Sequence, residues 1–185
     1  MRVIAGSAKG RKLTAPKGPG TRPALAQVKE AIFNILASLR GDITGLAVLD
    51  LYAGSGAIGI EALSRGALHC TFVERESRAL SALRENLERT GFTPQAEIVP
   101  LPVERVLKHL AGKVRRYELI FVDPPYDCDL VMPSLALAEK VLADAGTVIV
   151  ENSPREPVED TEQLTVTDRR KYGQTNITFL QRNHV

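Results

Sequence analysis

The 185-residue sequence predicts an α/β fold: a mostly parallel seven-stranded sheet with helices on both faces, plus a small N-terminal hairpin and helix. Three observations predict it. Short, continuously apolar runs alternate with stretches of helical periodicity, the pattern of strands buried on both faces under helices. A glycine turn, Gly54-Ser55-Gly56, joins the first of these runs to the first of these helices. Pro124-Pro125 closes the fourth run, where the chain must leave the sheet because proline has no N–H to donate to a ladder.

Taken in order, residues 3–5 and 12–15 are short apolar pieces in a stretch rich in Gly, Lys and Pro, and they predict a small hairpin. Thr21-Arg22-Pro23 then punctuates the chain. Leu25, Val28, Ile32, Ile35, Leu36 and Leu39 recur at helical spacing and predict a helix over 24–39. Residues 1–39 therefore read as an appendage and 40–185 as the main domain. In that domain strands are expected at 47–51, 70–74, 96–99, 119–123 and 147–151, with helices near 58–64, 77–89, 103–110 and 130–142. Residues 163–167 and 176–180 predict a final antiparallel hairpin at one edge, and Arg169-Arg170-Lys171 between them reads as a solvated connection.

Composition narrows the class. With 44% hydrophobic and 25% charged residues, the chain matches ordinary globular proteins rather than disordered or collagen-like ones. No apolar run approaches the roughly 20 residues that cross a bilayer, and the first residues lack the apolar stretch of a signal peptide. A cytoplasmic monomer, with no membrane association, is the expectation. Cys70 and Cys128 are the two cysteines, in no CxxC or Cys/His cluster, so no metal site and no disulfide framework is expected.

The net charge of +2 implies little, but its distribution is uneven. No acid precedes Glu30, whereas Arg2, Lys9, Arg11, Lys12, Lys17, Arg22 and Lys29 all fall in that stretch. Such an arm can neutralise phosphates. It can equally be a solvated surface.

The run Val48-Leu49-Asp50-Leu51-Tyr52-Ala53-Gly54-Ser55-Gly56-Ala57-Ile58-Gly59 reads as strand, turn and helix start. Glycines allow the sharp turn and close approach of a ligand, and the helix N-terminus offers unpaired N–H groups. Gly54, Gly56 and Gly59 have the spacing of dinucleotide-binding loops, and Glu74 closes the next strand, where an acid can hold ribose hydroxyls. A nicotinamide or flavin cofactor would place its pyrophosphate at the helix start. S-adenosylmethionine has no phosphate, and its ammonium favours a carboxylate such as Asp50.

Asp123-Pro124-Pro125-Tyr126 suits a different task. If the fourth strand lies beside the first, these residues share a crevice with the glycine loop at the carboxyl ends of the strands. An exocyclic amine on a nucleic-acid base is a poor nucleophile because its lone pair is delocalised into the ring. A carboxylate at Asp123 and a carbonyl at Pro124 can accept its two hydrogens and aim the lone pair at a methyl donor, held stiffly by the prolines. Tyr126 offers a face on which an extruded base can stack.

With Arg2-Val3-Ile4-Ala5-Gly6, Gly10-Arg11-Lys12-Leu13, Thr21-Arg22-Pro23, Val28-Lys29-Glu30-Ala31-Ile32-Phe33-Asn34-Ile35-Leu36, Glu61-Ala62-Leu63-Ser64-Arg65-Gly66-Ala67 and Tyr172-Gly173 added to these two motifs, the chain resembles the RsmD family almost end to end. The resemblance implies a Rossmann-like class I methyltransferase that uses S-adenosyl-L-methionine to methylate the N2 amine of a guanine in 16S rRNA, within an assembling small ribosomal subunit. It implies Asp123, Pro124, Pro125 and Tyr126 as catalytic, and Asp50, Tyr52, Ala53, Gly54, Ser55, Gly56, Glu74, Arg75 and Val103 as the cofactor set. Arg11, Lys12 and Arg22 become the RNA-contact candidates. The chain departs from the family pattern at Ala24-Leu25-Ala26-Gln27, at Pro100-Leu101-Pro102-Val103 and at Gln174, positions where acids or other polar groups are common. Two alternatives stay open: an adenine-N6 methyltransferase acting on DNA or RNA, which would share both motifs, and a catalytically impaired RNA-binding homologue, which the changes at Ala24-Leu25-Ala26-Gln27 leave possible.

Overall fold

A computed structural model of the chain describes residues 1–15 and 24–183. Along these residues the elements run α1 (Ala24–Arg40), β1 (Ala47–Leu51), α2 (Ala57–Ser64), β2 (His69–Val73), α3 (Ser77–Thr90), β3 (Ala96–Val99), α4 (Val103–Ala111), β4 (Tyr117–Val122), α5 (Val131–Ala138), β5 (Leu142–Asn152), β6 (Leu164–Tyr172) and β7 (Thr175–Arg182). They form one seven-stranded sheet in the order β3-β2-β1-β4-β5-β7-β6. The first five pair in parallel, and β7 runs antiparallel to both β5 and β6. The strand order reverses between β1 and β4, which is where ligands collect in open α/β sheets.

Side chains alternate across the sheet, so each strand feeds two cores. Val48, Leu119 and Phe121 face one cluster with Ile60, Leu63, Leu83 and Leu87 of α2 and α3. Leu49, Leu51, Ile120 and Val122 face the other, with Val106, Leu107, Val131 and Leu135 of α4 and α5. The first cluster also takes in Val3, Ala8 and Leu13, and Val28, Ile32, Phe33 and Leu36 of α1. Leu39, expected on the apolar stripe of α1, is instead 40% exposed, one residue before the helix ends at Arg40. The Arg40 guanidinium closes that end by donating to the Ala145 carbonyl of β5.

The N-terminal segment pairs more sparingly than a hairpin and in a shifted register. Arg2 and Lys12 form one antiparallel bridge. Val3 donates to Arg11 at 3.0 Å and Leu13 to Met1 at 2.9 Å, so residues 1–3 face 11–13 rather than 3–5 facing 12–15. A buried carboxylate clasps this segment to the domain. Glu61 of α2 accepts the Ile4 and Ala5 amides at 2.8 and 2.9 Å, and pairs with Lys29 of α1 and with Arg65 at 2.9 Å each. Lys29 also donates to the Arg2 carbonyl at 2.8 Å. Burial alone would push Glu61 up, but the Ile4 amide and Lys29 outweigh it and hold the carboxyl below its ordinary range.

β4, α5, β5 and β6 differ from their expected boundaries. β4 starts at Tyr117, whose ring is fully buried and which pairs with Leu142. That pairing draws Leu142 into β5, so α5 ends at Ala138 instead of continuing. Arg169-Arg170-Lys171 lie within β6 rather than in a solvated connection. A charged run suits that position, because β6 is an edge strand and charge there discourages pairing with another chain.

Candidate functional site

Two adjoining cavities open at the carboxyl ends of the parallel strands. The larger, about 850 Å³, is lined by Tyr52, Glu74, Arg75, Leu101, Val103 and Asp123, among others, with Pro124, Pro125, Tyr126 and Glu151 along one wall. The smaller, about 200 Å³, is lined by Asp50, Tyr52, Ala53, Gly54 and Ser55 on one side and by Asp123 and Glu151 on the other. The glycine loop and Asp123-Pro124-Pro125-Tyr126 thus meet at the β1/β4 reversal, as their strand positions require.

The loop is held by side chains from neighbouring strands. Gly54 donates its amide to Glu74 Oε2 at 2.9 Å, while Glu74 Oε1 accepts the Arg75 and Glu76 amides at 2.7 Å each. Asp50, only 3% exposed, accepts the Gly59 amide at 3.0 Å. Burial, aided by the nearby charge of Glu74 and opposed by the Gly59 bond, pushes its carboxyl up to about 7. Gly56 caps α2 with a φ of 77°, and a Cβ there would come within 2.3 Å of Leu83 Cδ1. Its role is thus close packing of α2 and α3. Tyr52, at a positive φ of 59°, bonds Ser134 Oγ of α5 through its hydroxyl at 2.9 Å, and burial raises its phenol.

At the other wall, Pro124 is buried, Pro125 is exposed and Asp123 is half-buried. The Tyr126 hydroxyl donates to Glu151 Oε1 at 2.9 Å and lies 2.8 Å from Thr175 Oγ1. Burial and the Glu151 charge push its phenol up to about 12, against the bond with Thr175. The ring is therefore anchored at its polar end. Beyond it, Asp127 and Asp129 both take positive φ, 56° and 54°, and Glu156 accepts both of their amides, at 2.9 and 2.7 Å. One carboxylate thus stiffens the turn that follows the prolines.

The sequence-derived residues are brought together except those of the arm and Gly56, which lines neither cavity and packs against Leu83 instead. Arg11 and Lys12 are exposed, with Arg11 donating to the Arg89 carbonyl of α3 at 2.5 Å, and they lie outside both cavities. Arg22 lies outside the described residues. Glu151, Thr175, Ser134 and Glu156 were not anticipated. A signal for Glu151 exists: Asp50, Glu74, Asp123 and Glu151 each stand at or beside the carboxyl end of a parallel strand, an acid closing an otherwise apolar run. Thr175 and Glu156 carry no such signal.

The lining chemistry discriminates among ligands. Among the described residues, Glu74, Glu76, Glu104, Asp123 and Glu151 border the larger cavity against the guanidinium of Arg75. A pyrophosphate would meet like charge there, whereas a ligand carrying an ammonium and a sulfonium meets opposite charge. A carboxylate offers about four acceptor positions, so Glu74 can hold the three amides and still receive a hydroxyl.

Residues 1–181 match the family model described as Conserved hypothetical protein 95. The chain is 37% identical over 185 residues to YlbH of Bacillus subtilis (strain 168), named provisionally as an rRNA methyltransferase, covering 98% of this chain and 99% of that one. It is 36% identical over 154 residues to Ribosomal RNA small subunit methyltransferase D of Escherichia coli (strain K12), covering 82% of this chain and 74% of that one. Among solved structures, yhhF of Escherichia coli, named provisionally as a methyltransferase, superposes with a TM-score of 0.83 at 33% identity, covering 100% of this chain and 99% of that one.

Proposed function

We propose that this chain, which belongs to the RsmD family described as Conserved hypothetical protein 95, uses S-adenosyl-L-methionine to methylate the N2 amine of a guanine in 16S rRNA. The observation that carries the reading is the meeting of the glycine loop with Asp123-Pro124-Pro125-Tyr126 around one acid-lined cleft. The cofactor, when bound, supplies an electrophilic methyl group on a sulfonium. Asp50 and the glycine loop receive its amino-acid end, Glu74 its ribose hydroxyls, and Leu101 and Val103 its adenine face.

Asp123 and the Pro124 carbonyl accept the two amine hydrogens, which localises the nitrogen lone pair. Tyr126 stacks the extruded base, a contact of roughly 1–3 kcal/mol that offsets much of the cost of extrusion. Glu151 and Thr175 hold the Tyr126 ring in place through its hydroxyl. Fixing amine and methyl group in one geometry lowers the barrier by up to about 7–11 kcal/mol relative to a bimolecular encounter.

Residues 1–39 form the RNA-contacting appendage, with Arg11, Lys12 and Arg22 neutralising phosphates, and residues 40–185 the catalytic domain. The protein acts as a cytoplasmic monomer on an assembling small subunit and needs no metal. Among the described residues no helix is long and apolar enough to cross a membrane.

The test is to incubate the purified protein and labelled cofactor with immature small subunits, naked 16S rRNA and DNA. Label in the small-subunit RNA, mapped by mass to N2-methylguanine, is the expected result. Label only in DNA, or in none of the three, would overturn the proposal.

A further inference from the structure

A pocket that grips an exocyclic amine through one carboxylate and one carbonyl does not by itself choose a base. Adenine, cytosine and guanine all present such an amine, and they differ at the ring atoms beside it. In adenine and cytosine the one ring nitrogen flanking the amino-bearing carbon carries a lone pair. In guanine one neighbour is N1–H, a donor. An enzyme that reads an extruded base does so along this edge. A second acceptor beside the amine-binding one therefore favours guanine and repels the other two.

A second acid, Glu151, stands beside Asp123 at the cleft. Val122 of β4 pairs with Val150 of β5, so Asp123 and Glu151 follow at neighbouring strand ends in the same register. Neighbouring strands lie roughly 4.8 Å apart, a spacing from which two acids can reach adjacent positions on one base edge. Both residues border the larger and the smaller cavity. The Tyr126 hydroxyl bonds Glu151 Oε1 at 2.9 Å, which ties this carboxylate to the ring proposed to stack the base. The phenol stays protonated across the working pH range, so it donates and Glu151 accepts. A carboxylate has further acceptor positions beyond the one that Tyr126 uses.

We propose that Glu151 is the specificity-determining residue of this site, its carboxylate accepting the N1–H of the extruded guanine while Asp123 and the Pro124 carbonyl hold the neighbouring amine. The assignment rests on the guanine reading above and deepens it. No atom is transferred to Glu151; it acts only as an acceptor.

The test replaces the target guanine, once mapped, by 2-aminopurine in the same RNA. That base keeps the N2 amine but has a lone pair at N1. Wild-type kcat/KM should favour guanine by at least about 100-fold, since a site built to pair a substrate N–H rejects an analogue lacking it. In Glu151→Gln the carboxamide can donate to the lone pair, and the preference should shrink by about tenfold or more. Thr175→Val is the comparator: it removes the other hydroxyl beside Tyr126 and should slow both substrates alike without moving the ratio. If wild type uses both bases equally, or if Glu151→Gln slows both in proportion, Glu151 merely supports Tyr126 and the assignment fails alone. If wild type methylates no guanine in any RNA, the functional reading and this assignment fall together.

Discussion

The Gly54 amide donates a 2.9 Å hydrogen bond to Oε2 of Glu74, so a side chain at the end of β2 holds the turn that leaves β1. The same carboxylate carries the Arg75 and Glu76 amides on its other oxygen. It therefore shapes the loop as well as offering an acceptor to a ribose. Hydrogen bonds to a charged group contribute about 1.5–3 kcal/mol each, so Glu74→Ala should weaken S-adenosylmethionine binding by at least ~10-fold. Titration calorimetry reads this directly, and unchanged affinity would remove Glu74 from the cofactor site. Glu74→Gln, which keeps one acceptor oxygen, should fall between the two.

Asp50 supplies a pH dependence. Burial pushes its folded carboxyl up to about 7, above the ordinary value of 3.8, so the folded state favours the neutral form. The stabilising contribution is complete below about pH 4 and is lost as the pH rises through 7, a loss on the order of 4 kcal/mol at most. Asp50→Asn stays neutral throughout and can still accept the Gly59 amide. Without cofactor, its melting temperature should therefore gain on wild type as pH rises from 4 to 8. A constant difference across that range would contradict the buried, neutral state. Wild-type affinity for a cationic ligand should rise over the same interval.

The clasp around Glu61 makes a prediction about stability. Glu61→Ala leaves the Lys29 ammonium buried without its partner and orphans the Ile4 and Ala5 amides. Breaking such a buried pair costs about 3–5 kcal/mol. Lys29→Met removes the charge yet leaves Glu61 its two amides and Arg65, so it should cost less. Urea denaturation of the two variants orders them, and equal midpoints would show that the amides contribute nothing.

Asp123→Ala should separate chemistry from cofactor binding. Removing a preorganised group where charge develops typically lowers kcat by about 100- to 1,000-fold. Cofactor affinity should stay within about a factor of three. Single-turnover labelling with a parallel binding titration measures both, and unimpaired turnover would refute the role.

Much of the fold is legible in the sequence because period and punctuation are local. β1 and β3 fall where their apolar runs predict, and the glycine turn and Pro-Pro pair mark two strand ends. Boundaries that depend on a distant partner are not legible. Whether Leu142 ends a helix or begins a strand is decided by Tyr117, across the sheet, and Arg169-Arg170-Lys171 become a strand because β7 offers them a ladder. The N-terminal pairing slips for a similar reason: Glu61 fixes the Ile4 and Ala5 amides from α2, which leaves residues 1–3 to meet 11–13.

The same division holds for the site. The sequence by itself determines the two motifs and their chemistry, since a glycine turn after an apolar strand and an acid before two prolines constrain the backbone whatever surrounds them. Only the tertiary structure decides what stands opposite. Glu151 and Thr175 reach Tyr126 because β5 lies beside β4 and β7 beside β5 in a particular register, and neighbours across a sheet are set by packing rather than by sequence separation.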